Sequence, residues 1–212
     1  MDKYFITIAG NIGVGKSTLV ELLAQRHGWE PVFEAVEENP YLADFYQDMP
    51  RWSFQSQVFF LSRRLRQHNG LLKYKKSVIQ DRSVYEDAEI FARNLYDQGN
   101  MGNRDWACYF DLYRTLATML PAPDLVIYLK ADMPTLRRRI AMRGREYEQE
   151  IDEKYLERLN VLYDRWADGF RLCPVLTVDT NNLNFVQNDE HLDQIWQKIM
   201  ERLQGKDYLT LE

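Results

Sequence analysis

Residues Gly10-Asn11-Ile12-Gly13-Val14-Gly15-Lys16-Ser17 fit the pattern G-x-x-x-x-G-K-S, and nothing else in the chain restricts its possible folds as tightly. The flanks suit the motif. Phe5-Ile6-Thr7-Ile8-Ala9 reads as an apolar strand before it, and Leu19-Val20-Glu21-Leu22-Leu23-Ala24 as a helix after it. Strand, tight glycine turn and helix bring backbone N–H groups together around an anion, and the helix N-terminus adds partial positive charge. In such a loop the backbone from Gly10 to Gly15 cradles phosphates and Lys16 neutralises the β- and γ-oxygens. Ser17 holds Mg2+, with Thr18 beside it in the first helical turn. A nucleoside triphosphate, ATP as donor, is the expected ligand; the bland alternative is a chance glycine-rich turn.

The remainder of the chain fits this beginning. Strand-like segments at 4–9, 31–33, 77–80, 125–129 and 175–178 alternate with helical ones at about 16–27, 51–74, 84–96, 104–119, 133–142, 152–170 and 189–203. Such alternation predicts an α/β fold, a P-loop NTPase-like doubly wound sheet of about five parallel strands flanked by helices, with residues 1–212 as a single domain. Pro50 stands where a helix can begin, and Asp132-Met133-Pro134 supplies an N-cap with an early proline.

Composition narrows the function classes. Lys plus Arg number 27 against 32 Asp plus Glu, a net charge of −5, so duplex nucleic acid is not an expected partner and any anion must be held by local positive charge. Cys108 and Cys173 make no disulfide framework and have no metal-ligand spacing. Met1-Asp2-Lys3-Tyr4 leads straight into a strand-like run, and no apolar run of ~18 residues exists, so neither a signal peptide nor a membrane span is expected, and a cytoplasmic location is. There is no Asn-Lys-x-Asp motif of the kind that reads guanine in regulatory GTPases, and the chain is small for a mechanical ATPase. A kinase of a small molecule is left.

Four motifs in order carry a closer resemblance: the glycine loop, Glu34-Ala35-Val36-Glu37-Glu38-Asn39-Pro40-Tyr41, Asp81-Arg82-Ser83, and Arg139-Ile140-Ala141-Met142-Arg143-Gly144-Arg145. In this order and spacing they resemble the deoxynucleoside kinases, most closely the deoxyadenosine, deoxyguanosine and deoxycytidine kinase branch, over nearly the whole chain. One departure is Glu34-Ala35-Val36 where the family often has Glu-Pro-Val. The resemblance implies ATP-dependent phosphorylation of a 2′-deoxynucleoside at its 5′-hydroxyl, in nucleotide salvage, by a homodimer.

It also implies roles. Glu34, at the expected end of the second strand, is the general base, and Arg82 contacts the reacting phosphate. Asp81, ending the third strand, supports Mg2+ together with Ser17. Gln57, Arg64 and Asp87 read the nucleobase, Phe91 stacks on it, and Tyr46 and Glu148 hold the 3′-hydroxyl. Gln57 and Arg64 are seven residues apart and so share a helix face. Arg139, Arg143 and Arg145 form a cationic lid over the triphosphate, whereas Arg137 and Arg138 read as solvated. The plainer readings are an Asp–Arg surface pair with Ser83 as N-cap, a solvated Gln57 and Glu148, a core Phe91 and a basic helix surface. A thymidylate-type nucleoside monophosphate kinase is the nearest rival enzyme, and a non-catalytic nucleotide-sensing module the rival from another class.

Overall fold

The computed structural model describes residues 3–33, 39–71, 73–145, 148 and 151–205. Five parallel strands form one sheet: β1 (Phe5–Gly10), β2 (Glu30–Val32), β3 (Val78–Asp81), β4 (Leu125–Lys130) and β5 (Val175–Asp179), in the order β2-β3-β1-β4-β5. All four pairings are parallel, with Ile6 opposite Ile79 on one side and Leu125 on the other. This is the expected α/β, P-loop architecture.

Helices cover both faces. On one lie α1 (Lys16–His27) and α9 (Asp189–Gln204), whose Leu19, Leu23, Leu192, Ile195 and Ile199 pack with Ile6 and Ile8 of β1. On the other lie α3 (Met49–Leu71), α6 (Asn103–Ala117) and α8 (Glu153–Gly169), packed against Ala9, Val126 and Tyr128. With both faces covered, the central strands are buried along nearly their whole length rather than at alternate positions. Each fully buried Ile or Leu there contributes about 1.5–3 kcal/mol.

Strand order positions the site. The chain leaves β1 toward β2 and β3 on one side and returns to β4 and β5 on the other, so a crevice opens at the carboxyl end of β1. Gly10 ends β1 there, and Asp81 ends β3 beside it.

Local chemistry sets the helix ends. α1 starts at Lys16 behind Gly15 and stops at Gly28, left-handed at φ 69°. α7 (Met133–Arg143) is capped by Asp132, whose side chain accepts from Thr135 N at 2.9 Å, and ends at left-handed Gly144. The helix expected at 84–96 is continuous but irregular: α4 (Val84–Glu86), a π-helical stretch (Asp87–Ala92) and α5 (Arg93–Asp97). A short helix, α2 (Leu42–Gln47), was not expected; at six residues it is too brief for hydrophobic periodicity to show.

Candidate active site

The glycine loop is held rigidly from below. Asn11 Nδ2 donates to Leu156 O at 2.9 Å and to Asn160 Oδ1 at 2.7 Å, while Asn11 Oδ1 accepts from Ile12 N at 2.8 Å. The Asn11 side chain thus ties the loop to α8 and leaves its backbone to face a ligand. Gly13 has φ +82°, and a Cβ there would sit 2.6 Å from Ile140 Cγ1 and 3.1 Å from Leu136 O. Only glycine admits so close an approach of α7 to the loop. Lys16 is 6% exposed and donates from Nζ to Asn11 O at 2.9 Å, curled over the loop. The first turn of α1 has no side-chain cap and no acidic residue, so its N–H groups and positive end face the crevice.

Ser17 Oγ donates to Asp81 Oδ2 in a short hydrogen bond across the crevice. The other carboxylate oxygen, Asp81 Oδ1, is buried without a hydrogen-bond partner among the described residues. A buried anionic oxygen next to a hydroxyl is a donor set that fits Mg2+, a hard cation that keeps water and phosphate oxygens as its remaining ligands. Among the described residues no cluster of three or more His, Cys, Asp or Glu surrounds the spot.

Arg82 follows Asp81 with φ 64°, the one positive value at a non-glycine among the described residues. An L-residue held there stores strain that its surroundings must overcome. Its N–H donates to Ile8 O at 3.0 Å, its guanidinium lies 4.2 Å from the centre of the Phe91 ring, and Nη1 donates to Tyr163 Oη at 3.3 Å. Phe91 therefore meets the arginine directly, and its ring also stands edge-to-face with Tyr163 at 6.2 Å.

Of the residues expected to read a nucleobase, Gln57 and Arg64 lie on α3 and Asp87 pairs with Arg64 from the π-helical stretch. Of the buried positions of α3, Ser53, Ser56, Gln57, Arg64 and His68 are polar, so the helix turns a polar stripe toward the interior. Arg64 Nε donates to Asp87 Oδ2 at 3.1 Å and Nη1 to Asp81 O at 3.0 Å, with the two side chains 2% and 4% exposed. Gln57 is 3% exposed, and its Oε1 lacks a hydrogen-bond partner among the described residues. The expected shared face of Gln57 and Arg64 is present, and the π-helical stretch that opens at Asp87 also carries Phe91. Tyr46, near the end of α2, packs edge-to-face on Phe45 at 5.1 Å.

A cavity of about 600 Å³ opens on the opposite side of the loop, lined by Gly13–Thr18, Arg138, Arg139, Met142, Arg143, Arg145 and residues 181–187. Its size suits a nucleotide. Arg139 is built into its wall: Nη1 donates to Val14 O and Thr180 Oγ1, both at 2.9 Å, and Nη2 to Thr180 O at 2.8 Å. Burial and the neighbouring Arg138 hold its pKa below the ordinary arginine value. Arg143 and Arg145 both pair with Glu148, which is 5% exposed; Arg143 Nε donates to Glu148 Oε2 at 2.9 Å. Two of the three expected lid arginines, Arg143 and Arg145, thus meet the expected sugar residue in one cluster, while Arg139 bonds to Val14 and Thr180 instead. Arg138, expected to be solvated, also lines the cavity. Glu34 lies outside the described residues, following β2, which ends at Val32.

Sequence reasoning did not single out residues 181–187, Glu86 or Tyr163. The first had a visible signal in the polar run Thr180-Asn181-Asn182 just past a parallel strand, where such sheets place ligands. Glu86 was hidden by a helix-start pattern, Ser83-Val84-Tyr85-Glu86, that explains itself as a capping box.

Comparison with known proteins identifies the family. The family described as deoxynucleoside kinase matches residues 6–204. The chain belongs to the deoxynucleoside kinase family. Among its relatives, the deoxyadenosine/deoxycytidine kinase of Bacillus subtilis is 38% identical, with 92% of this chain and 90% of the relative covered. The deoxyguanosine kinase of Bacillus subtilis is 37% identical, covering 90% and 93%. A solved structure of deoxyadenosine kinase from M. mycoides, with products dCMP and a flexible dCDP bound, superposes with a TM-score of 0.83 at 32% identity, covering 93% of this chain and 99% of that one. The protein is a deoxynucleoside kinase. Among its described residues no helix is long and apolar enough to cross a membrane.

Proposed function

We propose that this kinase transfers the γ-phosphoryl group of ATP to the 5′-hydroxyl of a purine 2′-deoxynucleoside or of deoxycytidine, as a step of nucleotide salvage. One observation carries the reading: Asp87, Arg64 and Asp81 form a buried hydrogen-bonded path, at 3.1 and 3.0 Å, that ends at the hydroxyl of Ser17 in the phosphate loop. A charged, base-reading pair thereby adjoins the phosphate centre. Asp87 suits an exocyclic amine, which adenine, guanine and cytosine carry and thymine lacks; Gln57 offers a further acceptor.

In this reading Glu34 takes the proton of the 5′-hydroxyl as its oxygen attacks the γ-phosphorus and the bond to the β-bridging oxygen breaks, releasing ADP. Lys16, Arg82, Arg143 and Arg145 stabilise the charge on the transferring group, the last two on leaving Glu148. Glu148 and Tyr46 are then available to the 3′-hydroxyl. Asp81 and Ser17 would hold Mg2+, which would supply positive charge against the phosphate oxygens. Arg139 acts from the wall, fixing Val14 of the loop against Thr180. The triphosphate occupies the cavity beside residues 181–187, with exposed Met142 and Val186 as apolar lips for its base. We take residues 1–212 as a single domain and the assembly as a homodimer; the outward flank of α6, with Leu112 41% exposed, suits a subunit contact. A nucleoside triphosphate donor suits a cytoplasmic enzyme.

The test offers ATP with deoxynucleosides in one set of reactions and with deoxynucleoside monophosphates in another. ADP formation with deoxyadenosine, deoxyguanosine or deoxycytidine supports the reading. ADP formation only with a monophosphate contradicts it.

A further inference from the structure

Glu86 is 0% exposed, carries an acidic group, and has no part in the mechanism above. Its carboxylate accepts four hydrogen bonds. Oε2 accepts from Ser83 N at 2.8 Å and Ser83 Oγ at 3.1 Å, and Oε1 accepts from Tyr163 Oη at 2.9 Å and Gly10 N at 3.3 Å. A capping box accounts for the Ser83 contacts alone. The other two reach across the fold, to the first residue of the phosphate loop and to α8. Tyr163 Oη in turn accepts from Arg82 Nη1 at 3.3 Å, and the Tyr163 ring is fixed by stacking on Tyr128, 5.8 Å away and nearly parallel.

The placement has a mechanical consequence. Arg82 is the residue in left-handed backbone, and Glu86 grips both the residue after it, through Ser83 N, and its guanidinium, through Tyr163. The same carboxylate holds Gly10 N, where β1 becomes the loop. Burial pushes the Glu86 carboxyl up from its ordinary pKa, while the charges of Arg82 and Lys16, the Ser83 N–H and the Tyr163 hydroxyl oppose that rise.

We infer that Glu86 is a positioning residue that sets Arg82 and the phosphate loop in register for phosphoryl transfer, with Tyr163 as its relay. The inference rests on the proposed contact of Arg82 and the loop with the reacting phosphates. Because Glu86 itself touches no substrate, its loss lowers kcat through misplaced groups and leaves ground-state binding intact.

Glu86→Gln tests this at constant volume. An amide has one acceptor oxygen where the carboxylate has two, and its NH2 must face a fixed backbone N–H, of Ser83 or Gly10. The variant also removes a negative charge near Lys16 and Arg82, so ATP binding does not weaken. The expected result is kcat lower by about 10- to 100-fold, the scale of hydrogen bonds to a charged group, with KM for ATP and nucleoside within about two-fold. Tyr163→Phe lowers kcat in the same way, and the double variant falls no further than the worse single one. Unchanged kcat in Glu86→Gln, additive losses in the double variant, or a KM that rises in step with the fall in kcat overturns the inference. Should Glu86→Gln fail to fold, Tyr163→Phe decides alone, and unchanged kcat there overturns it. Arg82→Ala, run in parallel, separates the two levels. If it retains kcat, the reading of Arg82 fails; if it loses kcat while Glu86→Gln does not, only the positioning role fails.

Discussion

Asp87→Asn perturbs the pair proposed to read the base with almost no change of shape. In the native protein Arg64 and Asp87 meet at 3.1 Å with side chains 2% and 4% exposed, so the guanidinium is neutralised out of reach of solvent. Removing one partner of a buried pair costs about 3–5 kcal/mol. The asparagine keeps an oxygen for Arg64 Nε, a hydrogen bond from a charged donor worth about 2 kcal/mol, and Arg64 Nη1 keeps the Asp81 carbonyl. The net loss is then about 1–3 kcal/mol, which for a chain of this size lowers Tm by roughly 3–9 °C. Asp97→Asn applies the same substitution to the i,i+4 pair with Arg93, whose side chains are 43% and 51% exposed, and shifts Tm by no more than about 2 °C. In a coupled ADP assay Asp87→Asn also lowers kcat/KM for the preferred deoxynucleoside about ten-fold or more relative to the others, flattening the base ranking. Equal thermal shifts in the two variants with an unaltered ranking would refute the reasoning.

Two further perturbations probe the loop and the core. Gly13→Ala forces a Cβ to 2.6 Å from Ile140 Cγ1 at a backbone angle that alanine resists, and ATP affinity by titration is expected to fall at least ten-fold; unchanged affinity would show that α7 yields freely. His68 is buried, donates from Nε2 to Pro121 O at 2.9 Å, and has its pKa lowered mainly by burial, with Arg64 adding to the effect. The unfolded chain then binds a proton at His68 near pH 6.5 that the folded protein refuses, so this contribution is complete above that pH and is lost as pH falls toward the lower folded value. Denaturant unfolding at pH 7.5 and 5.5 shows a smaller loss in His68→Gln than in the native protein, and His27, also lowered by burial, leaves part of the slope in place. Equal losses in both proteins would contradict the assignment.

The legible parts of this protein are those whose chemistry is local or periodic. The loop and its flanking strand and helix follow from spacing alone, and α1 runs from Lys16 to His27 as expected because Gly15 and Gly28 bound it. Asp132 and Pro134 announce α7 for the same reason. The shared face of Gln57 and Arg64 follows from an interval of seven, though a buried polar stripe looks in sequence like a solvated one until its partners are known. What stayed hidden depends on contacts distant in sequence. A six-residue π-helical stretch has no periodic signature of its own, and nothing in Asp81-Arg82-Ser83 reveals the left-handed turn at its centre. The hold of Glu86 on Gly10 spans 76 positions. Likewise the Arg143–Glu148 and Arg145–Glu148 pairs join groups that sequence reading had given to two different ligands.

The central claim is that the hydroxyl at the 5′ carbon is the acceptor. Its most direct measurement follows ADP release and product phosphorus NMR with 2′-deoxyadenosine, 2′-deoxyguanosine and 2′-deoxycytidine beside their 5′-deoxy analogues. ADP matched one-to-one by 5′-monophosphate from at least one of the three, and none from its 5′-deoxy analogue, is the predicted result. ADP release that persists with the analogue, or phosphate found at another position of the sugar, would contradict it.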